Sequence, residues 1–131
     1  MSPAKPYDAV RVLIVDGANV VGSRPDGWWR DRAGAARRLH EALLVADTAY
    51  DEIVLVLEGA AKGGSAASKD AHIRVAHAAR NGDDEIVACT RAAAVAGSTV
   101  TVVTADRLLR GRVEALGAST MSPTWLLAQL E

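Results

Sequence analysis

The chain has one cysteine and no phenylalanine. With Cys89 alone, no intrachain disulfide can form and no cysteine-based zinc centre can be built. Cys89 reads as a small hydrophobe on a helix. No apolar run approaches the roughly 20 residues that a membrane-spanning helix needs. The opening Met-Ser-Pro-Ala-Lys-Pro-Tyr-Asp has no apolar signal region, so a soluble, cytoplasmic protein is expected. Charge of one sign is also missing: 15 Lys and Arg against 16 Asp and Glu leave a net charge of −1. A nucleic-acid partner would therefore be held by a local basic patch, not by overall charge.

What is present is small and apolar. Half of the 131 residues are hydrophobic, mostly Ala, Val and Leu, a composition suited to one α/β domain. Residues 1–9 read as a polar lead-in broken by Pro3 and Pro6, and 10–131 as a single domain. Val10 to Val15 is a buried strand. Asp16-Gly17 ends it and a loop with Gly22, Pro25 and Gly27 follows. Ala36, Leu39, Leu43 and Ala46 fall at helical spacing within an amphipathic stretch from Arg30 to Asp47. Ile53 to Leu57 is a second strand, closed by Glu58-Gly59. Residues 60–70 read as a flexible loop. His72 to His77 forms a third strand, and Asn81-Gly82 turns the chain. Asp83 is expected to cap a helix from Asp84 to Ala96. Thr99 to Thr104 is a fourth strand, and Asp106 opens a helix to Leu116. A short strand near 118–120 and a helix capped by Ser122-Pro123 complete the chain. Strands alternating with helices predict a three-layer, Rossmann-like α/β/α sandwich around a mainly parallel sheet of four to five strands.

Each of the four main strands is followed by acid: Asp16, Glu58, the Asp83-Asp84 pair and Asp106. In a parallel sheet all carboxyl ends lie on one edge, where ligands bind. Capping and turn formation explain each acid singly, and Asp8 and Asp51-Glu52 stand near amino ends. Together, the strand-end acids describe a carboxylate cluster that repels itself without a cation. Hard oxygen donors with no cysteine nearby favour Mg²⁺ or Mn²⁺ over zinc. A pair of such ions can activate water and stabilise the leaving oxygen of a phosphodiester. Other chemistries lack their motifs. Ala18 stands where a haloacid-dehalogenase-type phosphatase has its second aspartate. The glycines at 59, 63 and 64 make no phosphate-binding loop, no Gly-x-Gly-x-x-Gly follows the first strand, and no Gly-x-Ser-x-Gly elbow exists.

Three motifs in order resemble the NYN branch of the PIN-like nuclease superfamily, and most closely its small bacterial YacP-type members. They are Val15-Asp16-Gly17-Ala18-Asn19-Val20-Val21, Gly82-Asp83-Asp84-Glu85-Ile86-Val87 and Val103-Thr104-Ala105-Asp106. They span most of the chain, from about residue 10 to 125. The resemblance implies a PIN-like sheet and a Mg²⁺- or Mn²⁺-dependent endoribonuclease site. Asp16 would be the first metal ligand, with Asn19 steadying its loop. Asp83 and Asp84 would supply ligands from a helix start, and Asp106 would complete the site beside Thr104. This chain departs from the family at Ala18, where the family often has Tyr. It departs again at Glu58, where Asp is common; Glu58 as a metal ligand would reach one methylene further.

Cations must meet the phosphates of an RNA substrate. Arg24, Lys62, Arg80 and Arg107 stand beside the motifs and are the candidates for substrate binding. Trp28 and Trp29 would either stack on unpaired bases or pack against the sheet or a second subunit; an exposed pair would favour a homodimer. Trp125 reads as core, His40 as surface, and His77 as a residue near a strand's carboxyl end that would assist proton transfer. Ribosome association enters only through the family resemblance. A PIN-like module that binds RNA or protein without cutting, or a small-molecule phosphoesterase, would fit the same residues.

Overall fold

A computed structural model describes residues 9–131, so the polar lead-in expected at the N-terminus lies almost wholly outside the described residues. Six strands form one sheet: β1 (Arg11–Asp16), β2 (Glu52–Leu57), β3 (Ser68–Asp70), β4 (Ile73–His77), β5 (Thr99–Val103) and β6 (Ser119–Met121). Their spatial order is β3-β4-β2-β1-β5-β6. All pairings are parallel except β3 with β4. Among the described residues five α-helices accompany them: α1 (Gly17–Gly22), α2 (Arg32–Val45), α3 (Gly82–Val95), α4 (Arg107–Glu114) and α5 (Pro123–Gln129).

Side chains on a strand alternate between faces, and here the alternation divides the core in two. Val12 and Ile14 of β1 join Val54 and Val56 of β2 on one face, covered by Ile86 and Val87 of α3 and Leu109 and Val113 of α4. Leu13 and Val15 join Ile53, Leu55 and Leu57 on the other, covered by Val20 of α1, Leu39 and Leu43 of α2 and Leu126 of α5. This is the expected three-layer α/β/α sandwich. From β1 the chain builds outward through β2 to β4, then returns to place β5 on the other side of β1. That reversal is the topological switch point of the sheet, where open α/β folds bind their ligands.

The sheet has one strand more than expected. Residues 60–70 are not a flexible loop: a 3₁₀ turn at Gly59–Gly64 leads to β3, which pairs antiparallel with β4. The turn is pinned because Gly64 approaches the Ala33 carbonyl so closely that no Cβ fits between them. Its run of Gly, Ala and Ser carries no alternating pattern, so the edge strand is legible only from its partner.

The segment after Asp16 is likewise a helix, not a loop. Two glycines in six residues give α1 poor intrinsic propensity. It forms because Asp16 caps it and because Gly17 clears β2: a Cβ there would lie 2.6 Å from the Val56 carbonyl oxygen. Helix α3 starts one residue before Asp83. Its N-cap is Asn81, whose side chain accepts from the Asp84 N–H at 2.9 Å. Asp83 therefore sits inside the first turn rather than capping it.

Cys89 is half-buried on α3 against the first core face. Trp125 packs on the second, edge-on to Tyr50 at 6.4 Å. His40 is half-buried rather than on the surface, its Nδ1 2.8 Å from Ser65 Oγ. No helix among the described residues is long and apolar enough to cross a membrane.

Leu55 is fully buried at the centre of the sheet, whereas Leu108 is 82% exposed. Leu55→Ala should cost about 2–5 kcal/mol in a urea titration, and Leu108→Ala should stay within about 0.5 kcal/mol. Equal losses would contradict this division of core and surface.

Candidate functional site

The alternation that divides the core also sets the site. Asp16 continues the face of Val12 and Ile14, Glu58 that of Val54 and Val56, and Thr104 that of Val100 and Val102. All three reach the carboxyl edge on the side where α3 and α4 begin.

Asp16 is 4% exposed. A buried carboxylate is tolerated only when its oxygens are hydrogen-bonded. Thr104 Oγ1 donates to Asp16 Oδ2 at 2.8 Å, joining β1 to the end of β5. Asn19 Nδ2 donates to the same oxygen at 2.7 Å, and the Asn19 N–H donates to Oδ1 at 3.3 Å. Asn19 Oδ1 in turn accepts from the Ala105 N–H at 3.3 Å. Burial drives the Asp16 pKa above its ordinary value; the Thr104 and Asn19 donors oppose that rise, and the charge of Glu58 adds to it.

Asp106 caps α4, its Oδ1 accepting from the Leu109 N–H at 3.0 Å. Its own N–H donates to Thr104 Oγ1 at 3.1 Å. Thr104 thus couples the two aspartates with one hydroxyl. Glu58 is held from the other direction, Oε2 accepting from the Gly82 N–H at 2.6 Å. That bond ties the end of β2 to the first residue of α3.

Asp83 lies among these acids. Its carboxyl pKa is raised, first by desolvation, then by the charges of Asp106, Asp16 and Glu58; Arg112 works against the shift. Four carboxylates from four separate segments therefore share one field: Asp16, Glu58, Asp83 and Asp106. Asp84 turns outward instead. Arg112 Nη2 donates to its Oδ1 at 3.1 Å and Asn81 Nδ2 to its Oδ2 at 3.2 Å, and these partners lower its pKa. The pair joins the start of α3 to α4 at an exposed position.

The donor set suits a hard divalent cation, being all carboxylate oxygen and short of positive charge. Among the described residues no three His, Cys, Asp or Glu side chains converge closely enough to encircle one ion directly. The arrangement fits an ion that takes one or two carboxylates and keeps several waters, as Mg²⁺ does.

The candidate cations are dispersed. Arg80 is exposed and lines a cavity with Glu58. Arg107 is exposed at the first residue of α4, and Lys62 lies on the 3₁₀ turn after Glu58. Arg24 lines a different cavity, with Asp26 and Arg38. His77 Nε2 is 2.6 Å from the Ser65 carbonyl oxygen, to which it donates. Sequence reasoning missed Asn81 and Arg112. Asn-Gly before an acidic run is a legible cap signal, but the Arg112 contact spans 28 residues.

The model of the YacP-like NYN domain family matches residues 13–131. The chain belongs to that family. As an NYN domain it is nuclease-like, and the acidic edge lies where its sequence motifs meet. Among solved structures, a mutant of Rae1 (YacP) from Bacillus subtilis superposes with a TM-score of 0.65 at 18% identity, covering 92% of this chain and 75% of that one. That likeness shows the fold. No curated protein matches this chain by sequence.

The raised pKa of Asp83 has a consequence for stability. A carboxyl with a higher pKa in the folded state binds more protons there than in the unfolded chain, above the ordinary value of 3.8. Its contribution is therefore intact below that value and lost as pH rises toward and through the folded pKa. In chelator-treated protein, the wild type should lose stability relative to Asp83→Asn as pH climbs from about 3 to about 7. Thermal unfolding of both proteins in matched buffers measures the difference; a constant or opposite trend would show that Asp83 is not repelled.

Proposed function

We propose that this NYN domain is a divalent-metal-dependent ribonuclease that hydrolyses phosphodiester bonds within RNA. The observation that carries the reading is the convergence of Asp16, Glu58, Asp83 and Asp106 at the switch point of the sheet. Family membership supports nuclease chemistry there.

On this reading Asp16, Glu58, Asp83 and Asp106 would surround a hydrated Mg²⁺ or Mn²⁺, one or two of them as direct ligands and the rest through its waters. When bound, the ion supplies Lewis-acid polarisation of the phosphate and lowers the pKa of water. Thr104 and Asn19 are positioning residues: they fix the Asp16 carboxylate before substrate arrives, so little reorganisation remains for the reaction. Asp83 stands in the field of Asp106, Asp16 and Glu58, and a bound cation would offset the repulsion that raises its pKa. Asp84 pairs with Arg112 of α4 at an exposed position and points away from the ion. Arg80, Arg107 and Lys62 meet phosphate oxygens close to the centre, and Arg24 meets the strand further along. The substrate is cytoplasmic RNA, free or on the ribosome.

Purified protein with Mn²⁺ or Mg²⁺ should cleave RNA, chelation should stop it, and added metal should restore it. Asp16→Asn and Asp106→Asn should each lower the rate by about 100-fold or more while thermal unfolding stays cooperative. Asp84→Asn should stay within about threefold, because exposed ion pairs contribute little. Cleavage that survives both Asp16→Asn and Asp106→Asn removes the reading. Hydrolysis of small phosphoesters with intact RNA would replace it with a phosphoesterase.

A further inference from the structure

Next to the acidic cluster lies a cavity of about 260 Å³. Gly17 and Ala18, at the start of α1, form part of its lining, and the half-buried Trp28 indole forms another. The exposed Arg32 and Arg80 reach it from solvent. Glu58 belongs both to this cavity and to the carboxylate field around Asp16 and Asp83.

The lining is unlike that of a packing defect. Its floor is apolar, with Val21, Ala36, Leu57 and Ala61, and its mouth carries Trp28, Glu58 and two guanidinium groups. The Arg32 guanidinium stands 5.3 Å from the centre of the Trp28 ring. Trp28 is braced from behind, since a Cβ on Gly22 would lie 3.6 Å from its ring. Ala18 is exposed, and its short side chain leaves the space open. The volume is below the roughly 300–1,000 Å³ of sites that take drug-sized ligands. It suits a single planar ring system.

We infer that this cavity receives one unstacked nucleobase of the RNA strand, adjoining the phosphate at the acidic cluster. The inference rests on the ribonuclease reading for the identity of that strand. Trp28 is the stacking platform: the base takes the place that the Arg32 guanidinium holds over its ring, and any base can do so because every base has a π-face. Arg32 and Arg80 supply donors, and the acceptors they meet are base carbonyl and phosphate oxygens. Glu58 is the hinge between the two subsites: a nucleotide with its phosphate at the carboxylates has its base at the cavity. A paired base inside a duplex cannot enter, so the cavity selects single-stranded RNA or a strand whose base is turned out.

The test uses a single-stranded RNA oligonucleotide and versions of it with one abasic residue at successive positions. Binding is measured by fluorescence anisotropy with Mg²⁺ in an Asp16→Asn background, which silences cleavage. One abasic position should weaken binding by roughly 5- to 100-fold, the range of base–aromatic stacking. Trp28→Ala should weaken the intact oligonucleotide by a similar factor and make the abasic position indifferent. Trp28→Phe should restore most of the affinity. Ala18→Leu should block the cavity from an exposed position without removing any packing, and so serves if Trp28→Ala fails to fold. Cleavage by the wild type with no abasic dependence at any position overturns the nucleobase site and leaves the ribonuclease standing. Trp28-dependent abasic sensitivity without wild-type cleavage keeps the nucleobase site and overturns the ribonuclease. Failure of the intact oligonucleotide to bind overturns the nucleobase site.

Discussion

The hydrogen bond from Thr104 to Asp16 joins residues 88 positions apart and closes the switch point of the sheet. A carboxylate as buried as Asp16 either finds donors or takes up a proton. Thr104 and Asn19 are those donors, and each has a second duty. The Thr104 hydroxyl oxygen receives the Asp106 N–H, and the Asn19 amide oxygen receives the Ala105 N–H. One buried charge thereby organises the end of β1, the start of α1 and the approach to α4. The site is built into the sheet's own edge rather than carried on a free loop.

The charge field at that edge is lopsided. Asp16, Glu58, Asp83 and Asp106 crowd together, and the nearest ion pair, Arg112 with Asp84, faces outward. A fold with net charge near zero has thus separated its charges locally. Acids collect at the strand ends while Arg32, Arg80 and Arg107 stand exposed around them. That arrangement is costly for the free protein and useful to one that meets a cation and a phosphate together, because the cation offsets the repulsion among the carboxylates and between them and the phosphate.

Much of this was legible beforehand. The β-branched runs announced β1, β2 and β5, the alternation of Ile73 and Val75 with Arg74 and Ala76 announced β4, and the glycines and prolines marked most boundaries. The acids at the strand ends pointed to one edge because parallel strands must end together. The identity of the inward acids was less legible. Asp83 and Asp84 are neighbours with the same chemistry, and only the helix phase separates them. Capping by Asn81 starts α3 at Gly82, which sends Asp83 toward Asp16 and Asp84 toward Arg112. Glu58, the departure from the family's usual aspartate, is drawn in by the Gly82 N–H.

The sequence by itself determined the layers, the strand alternation that puts Asp16, Glu58 and Thr104 on one face, and the acidic edge. Those properties follow from local pattern, which a period of two or 3.6 residues exposes without any partner. The tertiary structure decided α1, the 3₁₀ turn that leads into β3, the outward pairing of Asp84 and the cavity between Trp28 and Glu58. Each depends on a close approach between distant segments: Gly17 on Val56, Gly64 on Ala33, Arg112 on Asp84. No window of sequence contains both sides of such a contact, so only the folded chain could state it.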